Sequence, residues 1–281
     1  MSGPAAAPDR GRPSPDDGLH WITRPGARIA WRSDGSPDLP VLLVGNALGT
    51  DHHAWDGVLA PWMVHFRVVR FDARGHGASP VDASWRGRDY TIELLAQDAL
   101  AVADAAGAPR FHWLGLSIGG MLGLWLASEA ADRLDRLVVS NTAARLPAEV
   151  WAERIAAVRA GGMQALVDST MQRWFTPAFH ARRDPQIAAA RAAFLQLDPE
   201  AYCGCAAAIR DMDLHPALAR IHAPTLVIAG SLDPSTPPAL GRAIQAGIGR
   251  AEWLELPAAH MPQRELPDLF GAAVSRFLGA A

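Results

Sequence analysis

Gly115-Leu116-Ser117-Ile118-Gly119 follows the short apolar run Phe111 to Leu114 and leads into a small-residue helix expected from near Gly119 to near Ala130. This is a G-x-S-x-G turn in the setting that gives it chemical meaning. A strand delivers the serine, a helix leaves it, and the strained corner between them lifts the hydroxyl above a sheet. Glycine two before and two after Ser117 fits, because a side chain at either place would crowd the neighbouring strand or the helix backbone. One acid and one histidine follow in the order that such a site needs.

On the N-terminal side of this turn, Leu19 to Thr23 and Ala27 to Arg32 read as a hairpin. Val41 to Val44 reads as a short buried strand running into a turn-rich loop, and Val68 to Phe71 as another strand. Thr91 to Ala106 places Leu94, Leu95, Ala99, Val102 and Ala103 at helical spacing, with Thr91 as N-cap and Gly107 as the stop. On the C-terminal side, Leu137 to Ser140, Leu226 to Ala229 and Trp253 to Leu256 are further strands, closed by a helix from about Leu266 to Leu278. All-apolar strands bounded by turns suit a parallel sheet covered on both faces, so the predicted class is α/β with a mostly parallel central sheet flanked by helices. Between Pro147 and about Leu214 the strand signals vanish and Ala-, Arg- and Met-rich helical segments replace them. The expected organisation is a core from residues 19–146 and 215–281, with 147–214 as a helical cap inserted after the sixth strand. Ligands in open parallel sheets bind outside the carboxyl ends of the strands, so such a cap would roof the site and decide substrate choice.

A chain of 281 residues with 49% hydrophobic content can bury the core of one large domain. The net charge of −3 is spread without a basic block or acidic tail, which gives no reason to expect nucleic acid or an anionic membrane as partner. Every cationic side chain is arginine and none is lysine, which excludes Schiff-base chemistry through a lysine amine. Cys203 and Cys205 are too close in sequence to staple distant parts of a fold, and no partner His or Cys pairs supply a zinc pattern. Residues 1–18 are rich in Pro, Gly, Ala and Asp with no apolar stretch behind a basic start, and read as a disordered leader, not a signal peptide. With no stretch near the roughly 20 apolar residues of a membrane span, the expectation is a cytoplasmic protein that needs no cofactor or metal.

A serine hydroxyl is a weak nucleophile until an adjacent base accepts its proton, and that base needs an acid to fix its tautomer and stabilise its cation. Asp233 follows the strand Leu226 to Ala229 inside Gly230-Ser231-Leu232-Asp233-Pro234, a turn at a strand's carboxyl end. The competing acid position reads Ser140-Asn141-Thr142-Ala143 and holds no carboxylate, which favours Asp233. His260, in Leu256-Pro257-Ala258-Ala259-His260-Met261, lies after the last strand where the base belongs. His52 and His53 are expected to pack beside the site or at the surface, since two ligands do not make a metal site. Attack on a carbonyl creates an oxyanion that preorganised backbone N–H groups stabilise. Ile118, next after the nucleophile, should give one; the other should come from Gly45-Asn46-Ala47-Leu48-Gly49, with Ala47 preferred and Leu48 the alternative. Asp72-Ala73-Arg74-Gly75-His76-Gly77 is expected to be structural, a Gly-rich turn tied together by its own Asp and Arg.

Asn46-Ala47-Leu48-Gly49-Thr50-Asp51 with Trp55, and Phe71-Asp72-Ala73-Arg74-Gly75-His76-Gly77-Ala78-Ser79, resemble the 3-oxoadipate enol-lactonases of the α/β-hydrolase superfamily. So do Ser140-Asn141-Thr142-Ala143-Ala144, Arg173-Trp174-Phe175-Thr176-Pro177 and the stretch Ala207 to Leu214, the last two in the cap, which most of the superfamily does not share. Ile118 stands where the family often has methionine, and the Cys203 to Cys205 spacing differs slightly; neither touches a catalytic group. The resemblance covers Leu19 to the end and implies the α/β-hydrolase fold and hydrolysis of 3-oxoadipate enol-lactone to 3-oxoadipate, in the β-ketoadipate route of aromatic degradation. It implies Ser117, Asp233 and His260 as the triad, and a small lactone or ester as substrate. A substrate carboxylate calls for a pocket arginine, for which Arg145, Arg173 and Arg210 are candidates, while Leu48, Trp151 and Trp174 would supply wall. Two other readings stay open: an esterase, lactonase or C–C hydrolase of another substrate, and a non-catalytic ligand receptor on the same fold.

Overall fold

The computed structural model describes residues 18–279. The expected disordered leader therefore lies, but for Gly18, outside the described residues. Eight strands form one sheet: β1 (His20–Arg24), β2 (Ala27–Asp34), β3 (Val41–Gly45), β4 (Arg67–Phe71), β5 (Phe111–Leu116), β6 (Leu134–Ser140), β7 (Thr225–Gly230) and β8 (Ala251–Leu256). Their spatial order is β1-β2-β4-β3-β5-β6-β7-β8. The hairpin β1-β2 and the β2-β4 pairing are antiparallel, and every pairing from β4 to β8 is parallel. The α/β class and the mostly parallel sheet are as the apolar strand runs predict. β3, β5 and β7 are buried almost end to end, because helices cover both faces and leave no wet side on which a polar alternation could form.

The helix Ile92–Ala105 starts where expected, with the Thr91 side chain accepting from Leu94 N, and Gly107 beyond its end sits at φ +68. The helix Ile118–Glu129 is buried along nearly its whole length, which suits a segment of Gly, Leu and Ala pressed between the sheet and the helix Ile92–Ala105. One part differs from the sequence reading. The loop after β3 folds into a 3-10 segment, His52–Val58, because the Asp51 carboxylate caps His53 N. The terminal helix spans Pro267–Leu278 as expected, preceded by a short helix Pro262–Glu265, and each opens with a proline, whose missing N–H a helix start does not need.

Between β6 and β7 the chain runs through the helices Ala148–Gly161, Val167–Trp174, Pro177–Ala181, Pro185–Leu195 and Pro199–Asp211, with no strand among them. Three start by one device: a capping oxygen from Thr176, Asp184 or Asp198 followed by proline at the first helical position. Cys203 and Cys205 are free and buried on the last helix, and burial pushes the Cys205 thiol up to about 12, so both behave as small apolar residues. Among the described residues no helix is long and apolar enough to cross a membrane.

Candidate active site

Ser117 occupies φ 57, ψ −118, a corner that L residues adopt only under strain. Its surroundings leave no alternative. A Cβ added to Gly115 would stand 2.0 Å from the Gly119 carbonyl oxygen, and one added to Gly119 would stand 2.3 Å from that of Gly45. Strand and helix therefore touch backbone to backbone at the turn, and the serine between them is fixed by Ser117 N donating to Ser140 O at 3.0 Å. The Thr142 hydroxyl adds a bond to Ser117 O at 2.7 Å. Ser117 is 9% exposed, and no hydrogen bond joins its hydroxyl to another described residue in this structure.

Two strands away, Asp233 and His260 meet. His260 Nδ1 lies 2.7 Å from Asp233 Oδ2, with both side chains buried. Asp233 Oδ2 also accepts from the Thr236 hydroxyl at 2.6 Å and Asn141 Nδ2 at 3.0 Å, while Oδ1 accepts from Ser235 N at 2.8 Å and Thr236 N at 3.2 Å. Burial alone would push this carboxyl up. The His260 imidazole and the hydrogen bonds from His260, Thr236 and Asn141 outweigh that and hold it well below the usual carboxylate range. An ionised Asp233 keeps the proton on Nδ1 and leaves Nε2 as the free acceptor.

Asn141 links the two halves. It stands in the loop after β6, the competing acid position, at φ 47, and donates from Nδ2 both to Asp233 and to Ala259 O at 3.0 Å. The sequence offered only the absence of a carboxylate here; the structure gives the amide a task, orienting the acid and the histidine loop together. Glu265, which no sequence signal marked, braces that loop from the other side. Its buried carboxylate accepts from Ala259 N at 2.7 Å, Thr176 N at 3.0 Å and the Thr176 hydroxyl at 2.6 Å, joining the segment before His260 to the helical insertion. Glu265→Ala leaves two buried N–H groups unpaired and is expected to destabilise the fold by about 2–4 kcal/mol. Urea unfolding checks this: a loss below about 0.5 kcal/mol would mean that the bridge is not structural.

The loop after β3 faces the turn from the other flank. Asn46 is locked by Nδ2 donating to Phe71 O at 2.8 Å and by Trp55 Nε1 donating to its Oδ1 at 2.7 Å, and Asn46 O accepts from Gly119 N at 3.1 Å. Ala47 N, Leu48 N and Ile118 N have no hydrogen-bond partner among the described residues, and the three residues line one small, mostly apolar cavity with Cys205. Gly49 N donates to His76 Nε2 at 3.1 Å, while His76 Nδ1 lies 2.9 Å from Arg74 O. That pattern requires a neutral imidazole with its proton on Nδ1, and burial of His76 lowers its pKa in the same sense.

The Asp72 to Gly77 turn holds itself in part as expected. Asp72 accepts from Ala78 N at 2.9 Å and also from His52 N at 2.7 Å, with His52 Nδ1 at 3.0 Å. Arg74 instead leaves the turn and grips Asp98 on the helix Ile92–Ala105, with Nη2 to Oδ1 at 2.8 Å. His52 is thus buried on a carboxylate, and His53 is exposed beside Asp56.

The strained serine, the buried acid–histidine pair and the unpartnered amides all follow the carboxyl ends of parallel strands of one sheet, β5, β7, β8 and β3. The model of the α/β-hydrolase fold family matches residues 40–265. The chain belongs to this family. The hydrolase is similar to 3-oxoadipate enol-lactonase 2 of Acinetobacter baylyi, 33% identical with 90% of this chain and 94% of that protein covered. Among solved structures it is similar to a hydrolase from Pseudomonas aeruginosa, with TM-score 0.90, 43% identity and coverage of 94% and 99%. The enol-lactonase from Burkholderia xenovorans is also similar, with TM-score 0.88, 38% identity and coverage of 92% and 99%.

Two of the three candidate arginines of this hydrolase are already paired with aspartates. Arg145 is exposed and pairs with Asp213 at 3.4 Å. Arg210 is clamped by Asp89 at 2.8 Å and Asp211 at 2.6 Å, so its charge is already met. Trp174 is buried next to the site: Met261 N, beside His260, donates to Trp174 O at 3.1 Å, and the Trp174 ring would lie 3.4 Å from a Cβ on Gly49. Trp151 is half-buried beneath the guanidinium of Arg154, 5.5 Å from its ring centre.

Proposed function

We propose that this hydrolase opens 3-oxoadipate enol-lactone to 3-oxoadipate, through an acyl-enzyme on Ser117. The observation that carries the hydrolytic part is the buried Asp233–His260 pair at 2.7 Å, set beyond the strand edge on which Ser117 stands. Similarity along nearly the whole chain to proteins named as enol-lactonases supports the substrate.

In this mechanism His260 Nε2 takes the Ser117 proton as Oγ attacks the lactone carbonyl, and Asp233 stabilises the imidazolium. The oxyanion receives the N–H groups of Ile118 and Ala47, or of Leu48 in place of Ala47, each worth about 3 kcal/mol in the transition state. Collapse breaks the C–O bond to the ring oxygen, which departs as an enolate. An enolate is a far better leaving group than an alkoxide; it takes the proton that His260 removed from Ser117 and ketonises, which leaves His260 neutral for the second half of the reaction. Water deprotonated by His260 then attacks the acyl-enzyme, Ser117 leaves with the proton returned, and the carboxylic acid is released. Atoms balance with water as the only co-reactant, and no cofactor enters. The helices of 147–214 act as a cap, with Trp174 as a wall of the acyl pocket.

Steady-state kinetics on the enol-lactone, beside neutral aryl esters, a saturated lactone and a carbamate, test the substrate. The expected result is kcat/KM at least about 100-fold higher on the enol-lactone, equivalent to about 2.7 kcal/mol of selective transition-state binding. Equal or greater activity on a neutral ester would reject the lactone while leaving the hydrolase. If Ser117 fails to label with a phosphonofluoridate, a receptor without catalysis replaces both.

A further inference from the structure

Arg154 and Arg173 are partly buried arginines with no carboxylate within 4.0 Å among the described residues. Of the other arginines in the helical insertion, Arg159, Arg191 and Arg210 are paired with aspartates, and Arg182 and Arg183 are exposed. Arg154, on the helix Ala148–Gly161, donates from Nε to the Tyr202 hydroxyl at 2.6 Å and from Nη2 to Thr170 Oγ1 at 3.0 Å. Arg173, at the end of the helix Val167–Trp174, reaches the same Thr170 oxygen from Nη2 at 3.4 Å. Two guanidinium groups thus converge on one neutral hydroxyl whose residue is 1% exposed. Among the described residues the two groups make three hydrogen bonds, all to neutral hydroxyls, and Arg173 is disfavoured as a cation by burial first and by Arg154 second. An anion between the two forks would supply what is missing, since a carboxylate or phosphate oxygen pair matches a guanidinium edge.

The place of the pair in the fold selects the anion. Tyr202, which holds Arg154, lies one helical turn from Cys205 on the same face of Pro199–Asp211, and Cys205 lines the cavity shared by Ala47, Leu48 and Ile118. Tyr202 also packs edge-on against Phe194 with ring centres 5.7 Å apart, and the Phe194 ring would stand 2.8 Å from a Cβ on Gly49. Two packed aromatic rings, Tyr202 and Phe194, therefore connect Arg154 to the loop that offers Ala47 and Leu48. We propose that Arg154 and Arg173 form an anion site for a carboxylate carried by the substrate a few bonds from the carbonyl that Ser117 attacks. This deepens the hydrolytic reading and rests on it for the attacked carbonyl, but binding can be tested without turnover.

Calorimetric titration with adipate, a six-carbon dicarboxylate, and with uncharged adipamide at matched ionic strength provides the test. The native protein is expected to bind adipate at one site at least 30-fold more tightly than adipamide. Arg154→Gln and Arg173→Gln should each weaken adipate at least 10-fold and leave adipamide unmoved. Arg173→Lys keeps the charge but loses the fork, and should fall between; it serves where a glutamine variant fails to fold, as judged by its melting temperature. Equal affinity for adipate and adipamide, or adipate affinity unchanged in the folded variants, would overturn the site. Inactivity of the native protein on the enol-lactone would instead overturn the substrate and leave this titration intact.

Discussion

Ser117→Ala is expected to lower kcat/KM on the preferred substrate by about 10⁵-fold, the scale seen when the nucleophile of a serine triad is removed. KM should change little, because the hydroxyl makes no hydrogen bond in this structure and contributes mainly once attack begins. The residual rate should still exceed the uncatalysed one by about 10³-fold, since the amide donors and the pocket survive. Stability should separate from activity at this position. Alanine keeps a Cβ at φ 57 and so keeps the strain, whereas Ser117→Gly relieves it and is expected to raise stability by about 1 kcal/mol while abolishing turnover. Single-turnover kinetics and urea unfolding on the two variants check both halves. A Ser117→Ala protein within tenfold of the native rate would remove the acyl-enzyme altogether.

The strained corner was readable because its causes are local: Gly115 and Gly119 mark a backbone-to-backbone approach within five residues of sequence. The all-apolar runs of β3, β5 and β7 were readable for a related reason, since burial on both faces leaves no ambiguity of register or side. The 3-10 segment after β3 was not. It rests on one Asp51 side-chain cap and carries no periodicity to detect. The brace by Glu265 was hidden more deeply, because its partner Thr176 lies 89 residues away and nothing near either residue announces the other. Arginine roles were hidden for the opposite reason. Arg145, Arg173 and Arg210 look alike in sequence, and what separates them is whether the fold delivers an aspartate: Asp213 reaches Arg145, Asp89 and Asp211 reach Arg210, and none reaches Arg173 among the described residues. Arg154 escaped notice because its distinction is the same missing counter-charge, a property of packing and not of spacing.

Asp233→Asn should be nearly as damaging as loss of the nucleophile, and the hydrogen bonds around the acid say why. Oδ1 faces two backbone donors, Ser235 N and Thr236 N, that can only be met by an acceptor. The amide of the substituted residue must therefore turn its oxygen there and present NH₂ toward Asn141 Nδ2, Thr236 Oγ1 and His260 Nδ1. Facing a donor, Nδ1 becomes an acceptor, the imidazole proton moves to Nε2, and the base can no longer take the proton from Ser117. The expected loss is about 10⁴-fold in kcat, with KM largely preserved. The stability consequence has its own sign. Asp233 is held below its ordinary value of 3.8, so it favours the native state at neutral pH, and that contribution fades as the pH falls below the ordinary carboxylate range. The Asp233→Asn protein should therefore be less stable at pH 7 yet lose less on acidification than the native protein. Kinetics at pH 7 and urea midpoints between about pH 7 and pH 2 measure the two effects; an unchanged kcat, or parallel stability curves, would show that Asp233 neither fixes the His260 tautomer nor stays ionised beside it.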